Sequence, residues 1–409
     1  MSVLARERGA ERARPPARLA ASGPAKIRVA QVVTRFTAGA GVIALRGALA
    51  LDPERYETTI LAAEGGSLLE TAEAEGLPVI RLRHMAGGRG IYPGSDAQGV
   101  RELAGHLAAG RFDLVHTHSA KAGALGRIAA RRVGVRAVVH TFHGFPFHDF
   151  QSPPTRRALI RIERRLGRIT DGFLAAGTTI AADAVRLRIA PPERIRAFGT
   201  VPVDDRIRPR TDEDRRRARR LLGVPDGSRL IGTVARLDGQ KAPCDLVEAV
   251  ALLDRPDVRV VWIGGGGLRA KTERLIARRR LGDRFTLLGE RRDVTELLPA
   301  FDVFALSSLY EGLPCALVEA MTCGIPVVAT AVNSVPELVV AGETGTLARP
   351  ADPASLARAL AHVLDHPEEA ERMADAARAH LGDRYRPEAL GEAIVAVYEA
   401  VLAGTPVTR

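Results

Sequence analysis

Two glutamates separated by seven residues, Glu311 and Glu319, carry the clearest chemical signal in the sequence. Pro314 favours a helix start, so the pattern predicts Glu311 in the loop before a helix and Glu319 one to two turns inside it. From these positions the two carboxylates can hold hydroxyl groups at opposite ends of one ligand. A carboxylate that binds a vicinal diol is the usual way to hold a ribose. The alternative is two ordinary acids on a helix surface.

A pair of cations, Arg236 and Lys241, follows the predicted strand Leu230–Val234. Two fixed cations beside a helix N-terminus would neutralise a departing phosphate without a metal ion. Only four of the 59 basic residues are lysines, so a lysine here is more informative than another arginine. The alternative is two solvated basic residues at a strand end.

Glycines follow two of the predicted strands. Gly39 and Gly41, with Glu64 further on, match the loose dinucleotide fingerprint, which makes a nicotinamide enzyme a competing hypothesis. The prediction places five residues, 34–38, between the first strand and Gly39, too many for the tight turn of that fingerprint. We therefore favour a glycine loop whose backbone N–H groups approach a diphosphate. Residues 264–267 are all glycine and allow close backbone approach or a simple tight turn.

A group of histidines in the first half of the chain could suggest zinc. His116 and His118 lie two residues apart and face the same side of a predicted strand. Neither carboxylate nor cysteine accompanies the histidines at ligand spacing, and no Asp-x-Asp ends a strand, so we predict no metal site. His143 is the candidate for a cleft, and the others are structural or face an acceptor. The group is His116, His118, His140, His143 and His148.

Composition and charge exclude several classes of protein. Hydrophobic residues form 46% of the 409 residues and charged residues 26%, which excludes a disordered chain. The net charge of +11 is concentrated in residues 26–199, which hold 25 basic and 15 acidic residues, whereas residues 200–409 hold 29 and 31. Aromatic residues form only 4%, which disfavours base stacking, and we predict no nucleic-acid partner.

The sequence also indicates a compartment. Three cysteines without metal spacing fit a reducing environment. The Arg/Ala-rich N-terminus lacks the apolar core of a secretory signal, and no run of about 20 apolar residues would span a membrane. We expect a cytoplasmic protein with a peripheral contact to the inner face of the membrane through the basic first half. The basic amphipathic helix predicted at Pro154–Gly167 would supply that contact, unless it is an ordinary surface helix.

Alternating strand and helix patterns predict parallel sheets covered by helices on both faces. We expect two Rossmann-like domains whose sheets face each other across a cleft, with ligands at the carboxyl ends of the strands. The predicted divisions are a flexible basic tail over 1–25, an acceptor domain over 26–199, a linker over 200–212, a donor domain over 213–385, and a C-terminal helix over 386–409 that packs back toward the first domain.

Taken together, these motifs resemble the family 4 retaining glycosyltransferases, which have the GT-B architecture. The resemblance rests on Glu-x7-Glu preceded by Arg236 and Lys241 and followed by the segments 325–330 and 336–338. The segments 116–121 and 140–145 resemble the acceptor-side half of that family. There are departures: Asn333-Ser334 stands where the family often has a glycine pair, and Ala242 where a glycine commonly follows the lysine.

The resemblance implies roles for the donor-binding residues. Arg236 and Lys241 would bind the donor diphosphate, approached from the first domain by Gly39 or Gly41. Glu319 would hold the ribose hydroxyl groups.

The resemblance also implies where the sugar, the base and the acceptor lie. Glu311, with the backbone N–H groups of Gly312 and Leu313, would hold the transferred sugar beside Pro314. His143 would lie over that sugar, so His143 and Glu311 are the catalytic candidates. The remaining positions are Leu288, Gly289 and Glu290 in the base pocket and His116, His118 and Lys121 on the acceptor side.

The expected activity is transfer, with retention, of a sugar from a nucleoside-diphosphate sugar to a hydroxyl acceptor. UDP-GlcNAc or UDP-glucose is the expected donor and co-substrate, with no cofactor and no metal ion. The acceptor would be a small natural product, a lipid-linked carrier or a polysaccharide. Two alternatives stay open: a sugar-nucleotide epimerase or other nucleotide-dependent enzyme on a similar fold, and a non-catalytic binding protein.

Overall fold

The computed structural model describes residues 25–36, 38–85, 92–199 and 206–407. Nearly all of the predicted tail and the first half of the predicted linker lie outside these ranges. The described residues form two sheets of parallel strands covered by helices, which are the two Rossmann-like domains predicted from the sequence. Within these ranges, no helix is both long enough and apolar enough to cross a membrane.

The first domain alternates strands and helices along the chain. Its elements are β1 (Ile27–Phe36), α1 (Ala38–Leu49), β2 (Tyr56–Gly65), α2 (Ser67–Ala74), β3 (Val79–Arg81), α3 (Pro93–Gly110), β4 (Leu114–His118), α4 (Ala120–Arg132), β5 (Ala137–Phe142), α5 (Pro153–Gly167), β6 (Gly172–Ala176), α6 (Thr178–Arg186) and β7 (Ile195–Phe198). A short 3-10 turn, Pro192–Arg194, precedes β7.

The second domain repeats this alternation and ends in three long helices. Its elements are α7 (Asp212–Leu221), β8 (Arg229–Val234), α8 (Pro243–Leu253), β9 (Val258–Ile263), α9 (Arg269–Arg278), β10 (Phe285–Gly289), α10 (Val294–Leu297), β11 (Val303–Leu306), α11 (Cys315–Thr322), β12 (Val327–Thr330), α12 (Val335–Leu338), β13 (Thr346–Ala348), α13 (Pro353–Asp365), α14 (Pro367–Leu381) and α15 (Pro387–Ala403). The 3-10 turns Leu298–Ala300 and Gly382–Tyr385 complete it.

Both sheets have the strand order of a doubly wound fold. The first runs β3-β2-β1-β4-β5-β6-β7 and the second β10-β9-β8-β11-β12-β13. The central strands are buried on both faces, so they show no alternation of apolar and exposed polar residues, and the polar residues of β4 and β5 are buried as well. In each sheet the order reverses beside the first strand of the domain, and ligands bind at the carboxyl side of such a reversal.

The first strand corrects the sequence prediction. β1 continues to Phe36 because Arg35 and Phe36 still pair with Glu64 and Gly65 of β2, although Thr34 and Arg35 are polar. The helix begins at Ala38, so Gly39 and Gly41 lie in its first turn. The predicted gap of five residues between the strand and Gly39, which argued against a dinucleotide site, is therefore wrong. Strand β13, which the sequence analysis missed, has only three residues and is defined by its pairing with β12.

The C-terminal helix α15 crosses back and packs on the first domain. Two glycines permit this contact: a side chain at Gly47 would collide with Ile394, and one at Gly172 with Val397 and Val401. At the other end of the domain connection, Thr211 caps α7 with its side chain, and the backbone N–H of Arg210 donates to the carbonyl of Cys323. The chain is thus attached to the second domain before residue 212.

Candidate functional site

The carboxyl end of the second sheet brings Lys241 and Glu311 together as a hydrogen-bonded ion pair. Ser308 Oγ donates to the same carboxylate at 2.5 Å, and Gln240 Nε2 donates to its other oxygen at 3.3 Å. Glu311 is only 7% exposed, so this carboxylate is held by three donors away from bulk water. Low exposure strengthens each of these interactions.

Three strand-end loops are tied together around this pair. Ser307 Oγ donates to the carbonyl of Lys241 at 2.8 Å, and the backbone N–H of Leu309 donates to that of Gln240 at 2.8 Å. Asn333 Oδ1 accepts from the backbone N–H of Glu311 at 2.9 Å. Asn333 has a φ of 43°, a region that glycine favours, so the side chain adds a bond that a glycine could not supply. We call Gln240, Lys241, Ser308, Glu311 and Asn333 the ion-pair cluster.

The second carboxylate lies on the helix that follows. α11 begins at Cys315, with Pro314 as the residue before its first turn rather than within that turn. Glu311 therefore precedes the helix and Glu319 lies inside it, as the spacing indicated, and Glu319 is 4% exposed. Gly312 and Leu313 connect the two.

Arg236 lies on the exposed side of the same edge. It pairs with Asp238 at 2.9 Å and donates to Gln240 Oε1 at 3.1 Å, which links it to the ion-pair cluster. The loop that carries it rests on the glycine run: a side chain at Gly264 would lie 2.1 Å from the carbonyl oxygen of Ala235, and φ there is 134°. The glycines thus seat this loop by close backbone packing.

The predicted base-pocket residues border the same glycine run. Gly289 ends β10, and its carbonyl accepts from the N–H of Gly264 at 2.8 Å. A side chain at Gly265 would lie 3.3 Å from Cγ of Glu290. Leu288, Gly289 and Glu290 therefore stand beside the loop of Arg236.

The first domain reaches this edge at two points. A side chain at Gly39 would lie 3.5 Å from Sγ of Cys315, so the start of α1 faces the start of α11. A side chain at Gly312 would lie 1.7 Å from the carbonyl oxygen of His143. The structure thus brings Gly39 and His143 to the two ends of the segment that carries Gly312 and Leu313.

Gly41, by contrast, serves packing. A side chain there would lie 2.8 Å from the carbonyl carbon of Phe36, which the tight turn from β1 into α1 does not allow. Glu64, the acid of the dinucleotide fingerprint, forms an ion pair with Arg35 at 2.8 Å.

Two further contacts join the domains. The rings of His148 and Tyr310 stack with centroids 3.8 Å apart. Glu337 of α12 accepts from the backbone N–H groups of Thr178 and Thr179, at 2.7 and 2.5 Å, at the start of α6. Burial alone would raise the pKa of the Glu337 carboxyl, but the bonds from these threonines outweigh it and lower that pKa.

Behind His143 runs a buried chain of hydrogen bonds. His143 Nε2 contacts His118 Nδ1 at 3.0 Å, and His118 Nε2 contacts Gln31 Oε1 at 2.6 Å. Gln31 Nε2 donates to the hydroxyl of Tyr398 at 3.0 Å, and that hydroxyl contacts His116 Nδ1 at 2.8 Å. We call His143, His118, Gln31, Tyr398 and His116 the histidine chain.

Burial keeps these histidines neutral. It lowers the pKa of His116 to about 3 and that of His143 to about 4, and with neighbouring rings it lowers the pKa of His118 far below 6.5. His116 and His118 are each 1% exposed and their ring nitrogens are occupied. Of the two roles left open for these rings, structural or facing an acceptor, their burial favours the structural one, because β4 is covered on both faces.

The remaining acceptor-side candidate is also engaged. Lys121 forms an ion pair with Asp96 at 3.0 Å and lies 4.9 Å from the centre of the Tyr92 ring. The basic helix α5 does present arginines to solvent at Arg157, Arg161, Arg164 and Arg165, and the exposed Arg168 follows its last residue.

Possible metal ligands meet elsewhere. Within the described ranges, the histidine, cysteine and acidic side chains close enough to share an ion are His362, His366 and Glu369, at the junction of α13 and α14. None of these three residues belongs to the ion-pair cluster or to the histidine chain.

Sequence reasoning missed several members of the site. Gln240, Ser308, Gln31 and Tyr398 were not singled out, and Asn333 was noted only as a departure from the family pattern. Gln31 did carry a signal, since it is the one polar residue of the buried run 29–33 within β1. Tyr398 carried none, because its contact is 367 residues distant from Gln31 in the chain.

Comparison with known proteins identifies the family. Residues 214–380 match the family model of glycosyl transferases group 1, and residues 38–201 match the glycosyl transferase 4-like domain. The chain is 28% identical to the UDP-Gal:α-D-GlcNAc-diphosphoundecaprenol α-1,3-galactosyltransferase of Escherichia coli, over 75% of this chain and 80% of that protein. It is 31% identical to the D-inositol 3-phosphate glycosyltransferase of Streptomyces griseus, over 83% of this chain and 79% of that protein.

A solved structure agrees on the fold. Anabaena HepE in complex with UDP and glucose is similar with a TM-score of 0.79 and 21% identity, over 91% of this chain and 100% of that chain. The match of the first domain to a glycosyl transferase 4-like domain also argues against a nicotinamide enzyme. The corrected turn between β1 and α1 would not by itself exclude such an enzyme. The chain therefore belongs to the GT-B glycosyltransferases, with a glycosyl transferase 4-like first domain and a group 1 second domain.

Proposed function

We propose that this protein transfers a sugar, with retention of anomeric configuration, from a UDP-sugar to a hydroxyl group of an anionic acceptor. The observation that carries the proposal is the Lys241–Glu311 pair at the carboxyl edge of the second sheet. A cation suited to a diphosphate and a carboxylate suited to sugar hydroxyl groups stand in contact there, with Arg236 joined through Gln240.

Donor binding would divide this pair between two parts of one ligand. The diphosphate would take the Lys241 ammonium and the Arg236 guanidinium, which neutralise the charge that develops on the leaving group. The sugar hydroxyl groups would donate to Glu311, which then keeps its bonds from Ser308 and Gln240. Glu319, on the next helix, would accept from the ribose.

The proposed stereochemistry follows from the surroundings of Glu311. With a donor bound, this carboxylate would accept from Ser308, Gln240 and the sugar hydroxyl groups, so it is a poor nucleophile toward an anomeric carbon. Attack by the acceptor on the face that the diphosphate leaves would give retention, with a phosphate oxygen taking the acceptor proton. Lys241 and Arg236 supply the charge that a metal ion would otherwise supply, which supports a metal-independent reaction.

The choice of substrates is supported by the relatives. One relative is named for UDP-Gal and a diphosphoundecaprenol-linked sugar, and another for D-inositol 3-phosphate. HepE is seen with UDP and glucose. Both named acceptors carry phosphate, and residues 26–199 of this chain hold the excess positive charge.

Nucleotide release tests the proposal. The full-length protein is incubated with UDP-glucose, UDP-galactose, UDP-GlcNAc or GDP-mannose, with inositol 3-phosphate or a diphosphate-linked lipid sugar, and with or without EDTA. We expect UDP release that depends on the acceptor, and a product whose mass has increased by one sugar residue. The coupling of its anomeric proton in the NMR spectrum should be that of the axial (α) linkage present in the donor. EDTA should have no effect. Release from no nucleotide sugar would contradict the transfer, and an inverted product would contradict retention.

A further inference from the structure

The protons of the histidine chain can be assigned one by one from its geometry. Gln31 Nε2 donates to the Tyr398 hydroxyl, so Gln31 Oε1 is the acceptor of the 2.6 Å bond from His118 Nε2. A neutral imidazole carries a single N–H, so Nδ1 of His118 bears a lone pair. The 3.0 Å contact between His118 and His143 then takes its proton from Nε2 of His143.

The other end of the chain runs in the same direction. The Tyr398 hydroxyl donates its proton to Nδ1 of His116, and Nε2–H of His116 donates to Thr141 Oγ1 at 2.6 Å. Every donor in the series therefore points from His143 toward Thr141. This arrangement fixes the Nε2–H tautomer of His143 and leaves a lone pair on its Nδ1.

The charges around the chain agree with this assignment. His140, the remaining titratable ring that acts on His118, is itself buried, and its pKa is lowered by burial and by Arg127. The Arg127 guanidinium is paired with Glu163 at 2.8 Å, so the positive charge that acts on His140 is compensated. For a buried chain of this kind, the neutral state has the lowest desolvation cost.

We propose that Gln31, His118 and Tyr398 are positioning residues that hold His143 with Nδ1 as a hydrogen-bond acceptor for a substrate hydroxyl group. The proposal rests on the proposed function, which puts the transferred sugar beside His143 and Gly312. It assigns a role to the C-terminal helix, because Tyr398 reaches the chain only through the return of α15 to the first sheet. A bare nitrogen accepts from a hydroxyl group and repels a phosphate oxygen.

The test compares two tyrosines that touch each other. Tyr398→Phe removes the hydroxyl that orients Gln31. Tyr56→Phe is the matched control, because its ring lies 6.0 Å from that of Tyr398 and its buried hydroxyl has no hydrogen-bond partner among the described residues. Gln31→Met is a second variant that removes the acceptor of His118. Thermal unfolding of all four proteins establishes that each is folded.

Two readouts are used on the full chain. The ¹⁵N resonances of the His143 ring, assigned with His143→Ala, distinguish a protonated from a bare nitrogen in the free protein. We expect a single Nε2–H tautomer in the unmodified protein and in Tyr56→Phe, and a mixture in Tyr398→Phe and Gln31→Met. In these two we expect kcat to fall about 10- to 100-fold, as when partners that orient a metal-bound histidine are removed. The donor KM should stay within about twofold.

The other outcomes would each overturn the positioning role, the proton assignment or the proposed function. A folded Tyr398→Phe with one Nε2–H tautomer and unchanged kcat would overturn the positioning role while leaving the transferase function intact. An equal loss in Tyr56→Phe would also overturn it, because packing would then explain the effect. If the unmodified protein transfers no sugar, the proposed function fails, and a mixed His143 tautomer in that protein would separately overturn the proton assignment.

Discussion

The ion-pair cluster and the histidine chain meet at one cleft, yet one is built from charged side chains and the other from neutral ones. In the cluster, Lys241 and Glu311 are both charged and compensate each other at low exposure. In the chain, His116 and His143 are held neutral by burial, which lowers their pKa to about 3 and about 4. The charged side suits a ligand that carries its own charge, whereas the neutral side suits hydroxyl groups.

The difference shows how each side is maintained. A buried ion pair is costly to leave half-formed, so removing one partner strands the other. A neutral chain costs little to bury, but its orientation depends on every link. The cluster should therefore respond to changes of charge, and the chain to changes of proton position or pH.

The largest expected effect comes from breaking the charged side. Lys241→Ala and Glu311→Ala should each lower kcat/KM at least about a hundredfold, since each removes a group aimed at charge or hydroxyl groups of the donor. UDP release measures the loss. Lys26→Ala is the control, because Lys26 pairs with the exposed Glu54 at the opposite end of the first sheet. Full activity in both Lys241→Ala and Glu311→Ala would refute the role of the ion-pair cluster in donor binding.

Acid should act on the neutral side. The pKa of His116 is about 3 in the folded protein, against about 6.5 unfolded, so the unfolded state binds more protons between these pH values. Stability is therefore lost as the pH falls below about 6.5. At pH 4.5 His116 alone should cost about 3 kcal/mol of unfolding free energy. Urea unfolding at pH 7 and pH 4.5 measures this, and His116→Asn should flatten the dependence. A pH-independent free energy would show that the rings are not buried neutral.

A smaller effect is expected at Asn333, which holds Glu311 by one bond. Asn333→Gly keeps the positive φ but removes that bond, and should lower kcat/KM about five- to tenfold. Asn333→Ala should be at least as damaging, because alanine also disfavours the backbone conformation. Steady-state kinetics with saturating acceptor compares them. A fully active glycine variant would mean that the side-chain bond does not position Glu311.

The smallest effect is expected where the domains touch outside both groups. Glu337→Gln keeps the shape of the side chain but weakens its charge-assisted bonds to Thr178 and Thr179, and should change kcat/KM only about two- to threefold. Small-angle scattering with and without UDP would report a more open average shape. A loss of kcat/KM as large as that of Lys241→Ala would show that Glu337 belongs to the reacting site rather than to a contact outside it.

Particular residues show how far the sequence could predict this arrangement. The positions of Glu311 before α11 and Glu319 within it follow from spacing and from Pro314, because helix geometry is local. The end of β1 does not, because Arg35 and Phe36 extend the strand by pairing with β2. The choice between a structural and an acceptor-facing role for His116 and His118 was left open for a related reason: alternation along a strand shows that two residues share a side, but not whether that side is covered.

By itself, the sequence determined the chemistry available to this protein: the paired carboxylates, the two cations after a strand and the histidines, which can be neutral when buried. It also determined the alternation of strands and helices that produces two parallel sheets. These depend on residue type and local periodicity. Only the tertiary structure decided which groups are in contact. The Lys241–Glu311 pair joins loops of two strands, and Tyr398 enters the histidine chain from a helix at the far end of the polypeptide. Such contacts depend on strand order and on the return of α15, which no local pattern encodes.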